Sequence, residues 1–70
     1  MSNLKKFFLN GDQYFTQYEL NIFELITYFN YNAALFVLEY NHKICERKNW
    51  YKISLKNNDK LEIITIVGGG

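Results

Sequence analysis

The sequence predicts an α+β fold in which a mixed sheet of four to five strands carries one main helix packed on one face. The first observation is the order of the elements along the chain: hairpin, helix, strand, short strand or turn, and strand. The second is that one segment repeats its apolar residues at helical spacing and must cover a face of the sheet to bury them. A right-handed crossover then places the last strand in the middle of the sheet, parallel to the first.

Composition limits the chain to one domain, which we assign to residues 1–70. Hydrophobic residues make up 49% of the chain, too much apolar mass for a disordered protein. Eight basic and seven acidic residues leave a net charge of +1, so we expect no nucleic-acid partner and no membrane partner. The single cysteine excludes an internal disulfide and any multi-cysteine zinc site, and we expect no metal. The apolar run near the N-terminus is too short for a signal peptide or a membrane helix.

The chain opens with a predicted β-hairpin. Two aromatic-rich runs, residues 5–10 and 14–18, flank the turn sequence Asn10–Gly11–Asp12. Asn-Gly between apolar runs is the strongest short-range hairpin signal, because both residues accept a positive φ.

A helix is predicted next, over residues 19–30. Its apolar residues form a stripe at helical spacing. Glu19 and Glu24 lie early in this span, where the helix dipole favours acidic side chains. Residues 30–32 close the helix without a glycine, which leaves its C-cap open.

Two extended segments follow the helix. Residues 33–40 are apolar on both alternating faces, which is typical of a strand well inside a sheet. Residues 41–43 then form a turn, and residues 44–46 form a short extended segment.

The last third of the chain contains the predicted central strand. Residues 47–53 are irregular or form a single helical turn, which Trp50 anchors. A second turn at residues 57–60 precedes residues 61–67, the most β-branched run of the chain. Together with the hairpin and the helix, this strand completes a β-grasp, the ubiquitin-like architecture.

Three consecutive glycines, Gly68–Gly70, directly follow the predicted central strand. A terminus without side chains can enter a narrow channel in a partner's active site and present its carboxylate there. We therefore interpret the glycines as a flexible functional tail whose reacting residue is Gly70. The alternative is a terminus without any function.

Two segments resemble the ThiS family of sulfur carriers. In residues 36–50 (FVLEYNHKICERKNW), a strand leads to an asparagine turn, an isoleucine, an arginine and a tryptophan three residues further on. The matching residues are Asn41, Ile44, Arg47 and Trp50. The second segment combines an aspartate turn, an alternating strand and the ending Val-Gly-Gly-Gly.

The resemblance extends from Phe7 to Gly70. The chain departs from the family at two positions. Glu46 stands where proline is frequent, and Cys45 stands where valine or a similar residue is common. Neither position touches the tail.

The resemblance implies that the protein is a substrate of other enzymes and not an enzyme itself. An E1-like adenylyltransferase of the ThiF type would use ATP to adenylate the carboxylate of Gly70. A persulfide sulfur donor would displace AMP and leave a thiocarboxylate, whose sulfur a thiazole synthase of the ThiG type would take for thiamine biosynthesis. Gly69 and Gly68 would provide reach, and the carrier itself would bind no cofactor.

One face of the last strand is a predicted partner surface. We assign Leu61 and Ile63 to the helix side of the sheet. The opposite face then exposes apolar residues beside the tail, and such a patch usually marks a partner surface. The predicted partner-binding residues are Ile64, Ile66, Val67 and Gly68. Alternatively, aromatic neighbours such as Phe8 or Tyr14 shield this face.

Other candidate sites are weaker. His42 and Cys45 stand three apart across a turn, but one histidine and one cysteine cannot close a zinc site, and we interpret Cys45 as a half-buried strand residue. Three acidic residues could pair but are interpreted as separately solvated: Glu39, Glu46 and Glu62. Lysines interleaved with aromatic residues are interpreted as solvated charges and not as a nucleic-acid surface.

Three alternative functions stay open: the small subunit of molybdopterin synthase, a protein modifier whose tail becomes linked to lysines, and a binding module with inert glycines. Asn, Ile, Lys, Tyr and Phe, whose codons are rich in A and T, together make up half of the chain. This bias indicates an AT-rich genome. It predicts the plastid stroma if the gene is plastid-encoded, and the bacterial cytoplasm otherwise.

Overall fold

The computed structural model describes residues 4–66 and contains one mixed sheet with the strand order β2-β1-β5-β3-β4. The central strand β5 runs parallel to β1 and antiparallel to β3. A single α-helix packs on one face, so the predicted α+β β-grasp fold is confirmed. The elements are β1 (Lys5–Leu9), β2 (Asp12–Thr16), α1 (Ile22–Tyr28), β3 (Phe36–Tyr40), β4 (Lys43–Ile44) and β5 (Asp59–Thr65).

The predicted hairpin is confirmed. Asn10 and Gly11 have φ values of 51° and 84°, so both central residues of the turn lie in the left-handed region that a tight hairpin turn requires. Leu9 and Asp12 close the turn as cross-strand partners.

The helix is shorter than predicted. It begins at Ile22 and not at residue 19, because Asn21 is its N-cap. The side chain of Asn21 accepts the Glu24 backbone N–H at 2.7 Å, and the Glu24 carboxylate accepts the Asn21 N–H at 2.9 Å. The helix ends at Tyr28, and Asn30 (φ 61°) supplies the left-handed residue that glycine more often provides there.

The two extended segments after the helix also differ from their predicted bounds. Residues 33–35 form a 3-10 turn, capped by the Asn32 side chain at 3.0 Å from the Ala34 N–H, and β3 begins only at Phe36. β4 consists of Lys43–Ile44 and not of residues 44–46. β5 ends at Thr65 within the described residues.

The core lies between the sheet and the helix. Trp50 is 3% exposed, and its indole N–H donates to the Cys45 carbonyl at 3.0 Å, which confirms its predicted role as an anchor. No helix within residues 4–66 is long and apolar enough to cross a membrane. The buried hydrophobic residues are Phe7, Leu9, Ile22, Leu25, Ile26, Phe36, Leu38, Cys45, Trp50, Leu55 and Leu61.

Candidate functional site

The predicted reacting end of the chain lies outside the described residues. This applies to Val67, Gly68, Gly69 and Gly70, whose predicted roles stay predictions. The structure describes the strand that leads to them and the sheet face beside it.

β5 continues past the end of β1. Leu9 is the last residue of β1 that pairs with β5, opposite Leu61. The side chain of Asn10 then accepts the Ile63 N–H at 2.8 Å and takes the place of the next ladder carbonyl. Asn10, a residue of the hairpin turn, therefore also ends the pairing between β1 and β5.

The last described residues of β5 are hydrogen-bonded on the β3 side. Ile64 lies opposite Val37, and the Ile66 N–H donates to the Leu35 carbonyl at 3.0 Å. Backbone groups alternate in direction along a strand, so the N–H and C=O of Thr65 point away from β3. Within residues 4–66, no strand pairs with β5 on that side beyond Asn10.

The face of the sheet opposite the helix carries exposed apolar residues beside the end of β5. Ile44, Ile64 and Ile66 are 60%, 41% and 52% exposed. Ile64 lies opposite the half-buried Val37, and Ile44 lies opposite Glu39. We call Val37, Ile44, Ile64 and Ile66 the open-face patch.

Neither proposed aromatic neighbour covers this patch completely. Tyr14 lies on the helix side, where its ring packs 5.6 Å from Phe7 and 5.1 Å from Phe29. Phe8 lies opposite Lys60, at the other end of β5 from Ile64. The exposed isoleucines therefore stay accessible next to the start of the tail.

Two carboxylates that the sequence analysis treated as separate lie opposite each other. Glu39 and Glu62 are cross-strand partners of β3 and β5. Together with His42 and Lys60 they line a hollow of about 330 Å³ on the open face. Alternation along each strand could predict their shared face, but the register between strands so far apart in sequence could not be predicted.

Glu46 is not part of this pair. Its carboxylate lies 3.5 Å from the Lys48 ammonium, and both side chains are exposed.

Cys45 does not form a thiol–imidazole site with His42. Cys45 is 8% exposed within the core, while His42 lines the hollow on the open face. Burial raises the pKa of the Cys45 thiol, and the negative charge of Glu46 raises it further. The thiol is therefore protonated at neutral pH and a poor nucleophile. No group of three potential metal ligands occurs in the described part of the chain.

Asp59 is a buried acidic residue whose partners the sequence analysis did not identify. It is 5% exposed and accepts hydrogen bonds from the Tyr40 hydroxyl at 2.6 Å, the Asn41 amide at 3.1 Å and the Lys56 N–H at 2.7 Å. Burial raises the pKa of Tyr40, and the hydrogen bond to Asp59 raises it further. This cluster joins the end of β3 to the start of β5.

Comparisons with known proteins agree with this architecture. The model of the ThiS family matches residues 9–70. The crystal structure of the thiamine biosynthesis protein ThiS from Geobacter metallireducens superposes with a TM-score of 0.80 at 25% identity, covering 93% of this chain and 99% of that one.

Proteins named ycf40 from two sources are similar in sequence. The protein from Trieres chinensis is 54% identical over 100% of this chain and 96% of its own length. The protein from Porphyra purpurea is 31% identical over 89% of this chain and 87% of its own length.

Proposed function

The chain belongs to the ThiS family, and from this premise we propose that it carries sulfur for thiamine biosynthesis as a thiocarboxylate on Gly70. Family membership gives a sulfur-carrier role, and such carriers are generally not catalytic enzymes. They interact with E1-like and synthase partners. The identity of the reacting group, the pathway and the types of partner are the proposal.

The proposed reaction needs an activating step because a carboxylate resists nucleophilic attack at neutral pH. The carboxylate of Gly70 attacks the α-phosphorus of ATP on a ThiF-type adenylyltransferase, and pyrophosphate leaves. The terminal sulfur of a persulfide donor then bonds to the carbonyl carbon, and AMP leaves. A thiol reduces the resulting S–S bond and releases the thiocarboxylate, which a ThiG-type thiazole synthase uses.

The observation that carries the proposal is the open-face patch at the end of β5. Apolar residues that are 41% and 52% exposed, Ile64 and Ile66, directly precede Val67 and the glycines. A partner that binds this patch receives the tail at a fixed distance from its docking surface. Val67 and Gly68 are proposed to complete the contact, with Gly69 giving reach.

The chemistry of the described residues supports a passive carrier. The Cys45 thiol is buried, and its pKa is raised. The Cys45 thiol is therefore unsuited to carry sulfur, and we propose that the sulfur and the ATP come from the partners and that the carrier itself binds no cofactor.

The relatives and the composition of the chain support a proposal for its location. The name ycf40 is shared by relatives from Trieres chinensis, Porphyra purpurea and Pyropia yezoensis, and it points to a plastid-encoded protein. We propose the plastid stroma as the place where this carrier works.

Intact mass spectrometry tests the proposal. The full chain is incubated with a ThiF-type enzyme, ATP, a persulfide donor and a thiol. We expect a mass gain equal to the replacement of one oxygen by sulfur, located at Gly70. A chain lacking Gly70 should show no gain, while Cys45→Ser should show the same gain as the natural sequence.

Two results would contradict the proposal. No mass change with an adenylyltransferase that modifies another ThiS protein would exclude the carrier chemistry. A thiocarboxylate that supports molybdopterin synthesis but not thiazole synthesis would assign the carrier to the other pathway.

A further inference from the structure

A second apolar surface lies on the opposite face of the molecule, between β2 and α1. It is a groove of about 490 Å³, which we call the β2–α1 groove. Tyr28 on the helix and Tyr18 after β2 are 80% and 67% exposed around it. This groove is separate from the tail and from the open-face patch, so the carrier function does not explain it.

The backbone of β2 can accept another strand. The two-residue turn makes Leu9 and Asp12 a hydrogen-bonded pair, and such pairs alternate along an antiparallel ladder. Tyr14 therefore bonds to β1, while the N–H and C=O groups of Gln13 and Phe15 point away from it. Within the described residues, no strand lies beyond β2.

The two edges of the sheet differ in their protection. β4 has only two residues, one of which is Lys43, and a short charged edge discourages strand addition. β2 has five residues and contains neither lysine nor proline. Of the two edges, β2 is therefore the better suited to strand addition.

The groove beside that edge selects uncharged side chains. None of its lining residues is charged, and the lining is dominated by aromatic and aliphatic groups. A strand added to an edge presents alternate side chains to one face, so backbone pairing supplies affinity and the groove supplies specificity.

We propose that β2 and the β2–α1 groove bind an extended segment of a partner protein as a sixth strand. The segment is uncharged on its groove side and places apolar side chains there at alternate positions. Its backbone pairs with Gln13 and Phe15.

A second copy of this chain fits the groove less well. If two β2 strands paired, the groove-side residues offered by the second copy would be Asp12, Tyr14 and Thr16. The Tyr14 ring is held 5.6 Å from Phe7 and 5.1 Å from Phe29 in its own core. The remaining two side chains are polar, so they leave the apolar groove unfilled.

Selection from a displayed library of random peptides against the folded full chain tests the proposal. We expect enrichment of peptides with apolar residues at alternate positions. The tightest peptide, made synthetically and titrated into ¹⁵N-labelled protein, should shift the amide signals of Gln13 and Phe15. It should leave the signals of Ile44 and Ile64 unchanged.

Two variants distinguish strand addition from non-specific hydrophobic binding. Gln13→Pro removes an outward N–H without removing a bond to β1, and Tyr28→Glu places a charge at the groove. Each should weaken the peptide by about tenfold or more. Tyr51→Glu, at a 61% exposed position outside both the groove and the open-face patch, should bind as the natural sequence does. Circular dichroism confirms that each variant is folded.

Three results would overturn the proposal. They are the absence of enriched alternating peptides, equal binding by Gln13→Pro and the natural sequence, and concentration-dependent dimerisation that protects the β2 amides. The last result would assign the edge to a second copy. None of these results bears on the sulfur-transfer test, because that test measures a mass gain of the full chain located at Gly70.

Discussion

Asp59 shows how one residue can organise the chain around the central strand. Asp59 is 5% exposed, and its carboxylate accepts hydrogen bonds from three residues, of which Tyr40 and Asn41 lie at the end of β3. A buried carboxylate is costly unless its oxygens accept hydrogen bonds. Here the bonds link segments far apart in sequence, so the residue specifies the topology as well as contributing to stability.

Asp59→Asn should lower the free energy of unfolding by about 2–4 kcal/mol. In the natural protein both carboxylate oxygens accept hydrogen bonds, whereas the asparagine side chain would turn an N–H₂ donor toward at least one of the same N–H or O–H donors. The measurement is urea unfolding followed by tryptophan fluorescence. Asp12→Asn, an exposed change on β2, is the control and should alter the stability by less than about 0.5 kcal/mol. Equal effects of the two variants would contradict the role assigned to Asp59.

Tyr40 should make the protein less stable at alkaline pH. Burial and Asp59 raise its pKa in the folded protein above the ordinary 10.0, so the unfolded chain loses this proton first. The contribution of Tyr40 to stability is complete below about pH 10 and is lost as the pH rises above it. Urea unfolding across this range should show a shallower decline for Tyr40→Phe, which is less stable at neutral pH. Parallel curves would contradict the prediction.

At the scale of elements, local signals predicted the hairpin well and the helix start badly. Asn-Gly determines a turn through the conformations of two adjacent residues. Leu20, by contrast, continues the apolar stripe but lies in an extended segment, where its carbonyl accepts the Leu55 N–H at 2.8 Å. Asn21 pairs with Ser54 in the same contact. Periodicity could not distinguish the burial of Leu20 against residues 53–55 from burial on a helix face. The capping-box spacing of Asn21 and Glu24 is the local signal that marks the observed start of the helix.

The same reasoning explains which parts of the candidate site could be predicted. Alternation along β5 correctly placed Leu61 inward and left Ile64 exposed, because side-chain direction is a local property of a strand. The pairing of Glu39 with Glu62 depends on the register between two strands separated by a long connection. Nothing local encodes that register.

Asn21→Ala should lower the free energy of unfolding by about 0.5–2 kcal/mol, because it removes the acceptor of the Glu24 N–H at the helix start. Thermal and urea unfolding measure the effect. Lys52→Ala, at an exposed position outside the helix, is the control. Glu24→Ala is then made both in the natural sequence and in the Asn21→Ala variant. If it lowers the free energy of unfolding by the same amount in both, the reciprocal capping box is not the source of the loss.

At the scale of the whole molecule, the core and the open-face patch are separate. The core lies between the sheet and α1, whereas the open-face patch lies on the other face of the sheet. Docking and chemistry can therefore be separated by substitution without loss of the fold.

A chain lacking Gly70 should competitively inhibit adenylation of the full chain, because it keeps the open-face patch but has lost its reacting carboxylate. Introducing Ile64→Glu into the shortened chain should raise its inhibition constant by about tenfold or more, since a carboxylate would then be desolvated at the docking surface. Tyr51→Glu, at a 61% exposed position outside both the open-face patch and the β2–α1 groove, should leave inhibition unchanged. The measurement is pyrophosphate release by the adenylyltransferase. Equal inhibition by the Ile64→Glu and Tyr51→Glu chains would show that docking uses another surface, even if Gly70 carries the sulfur.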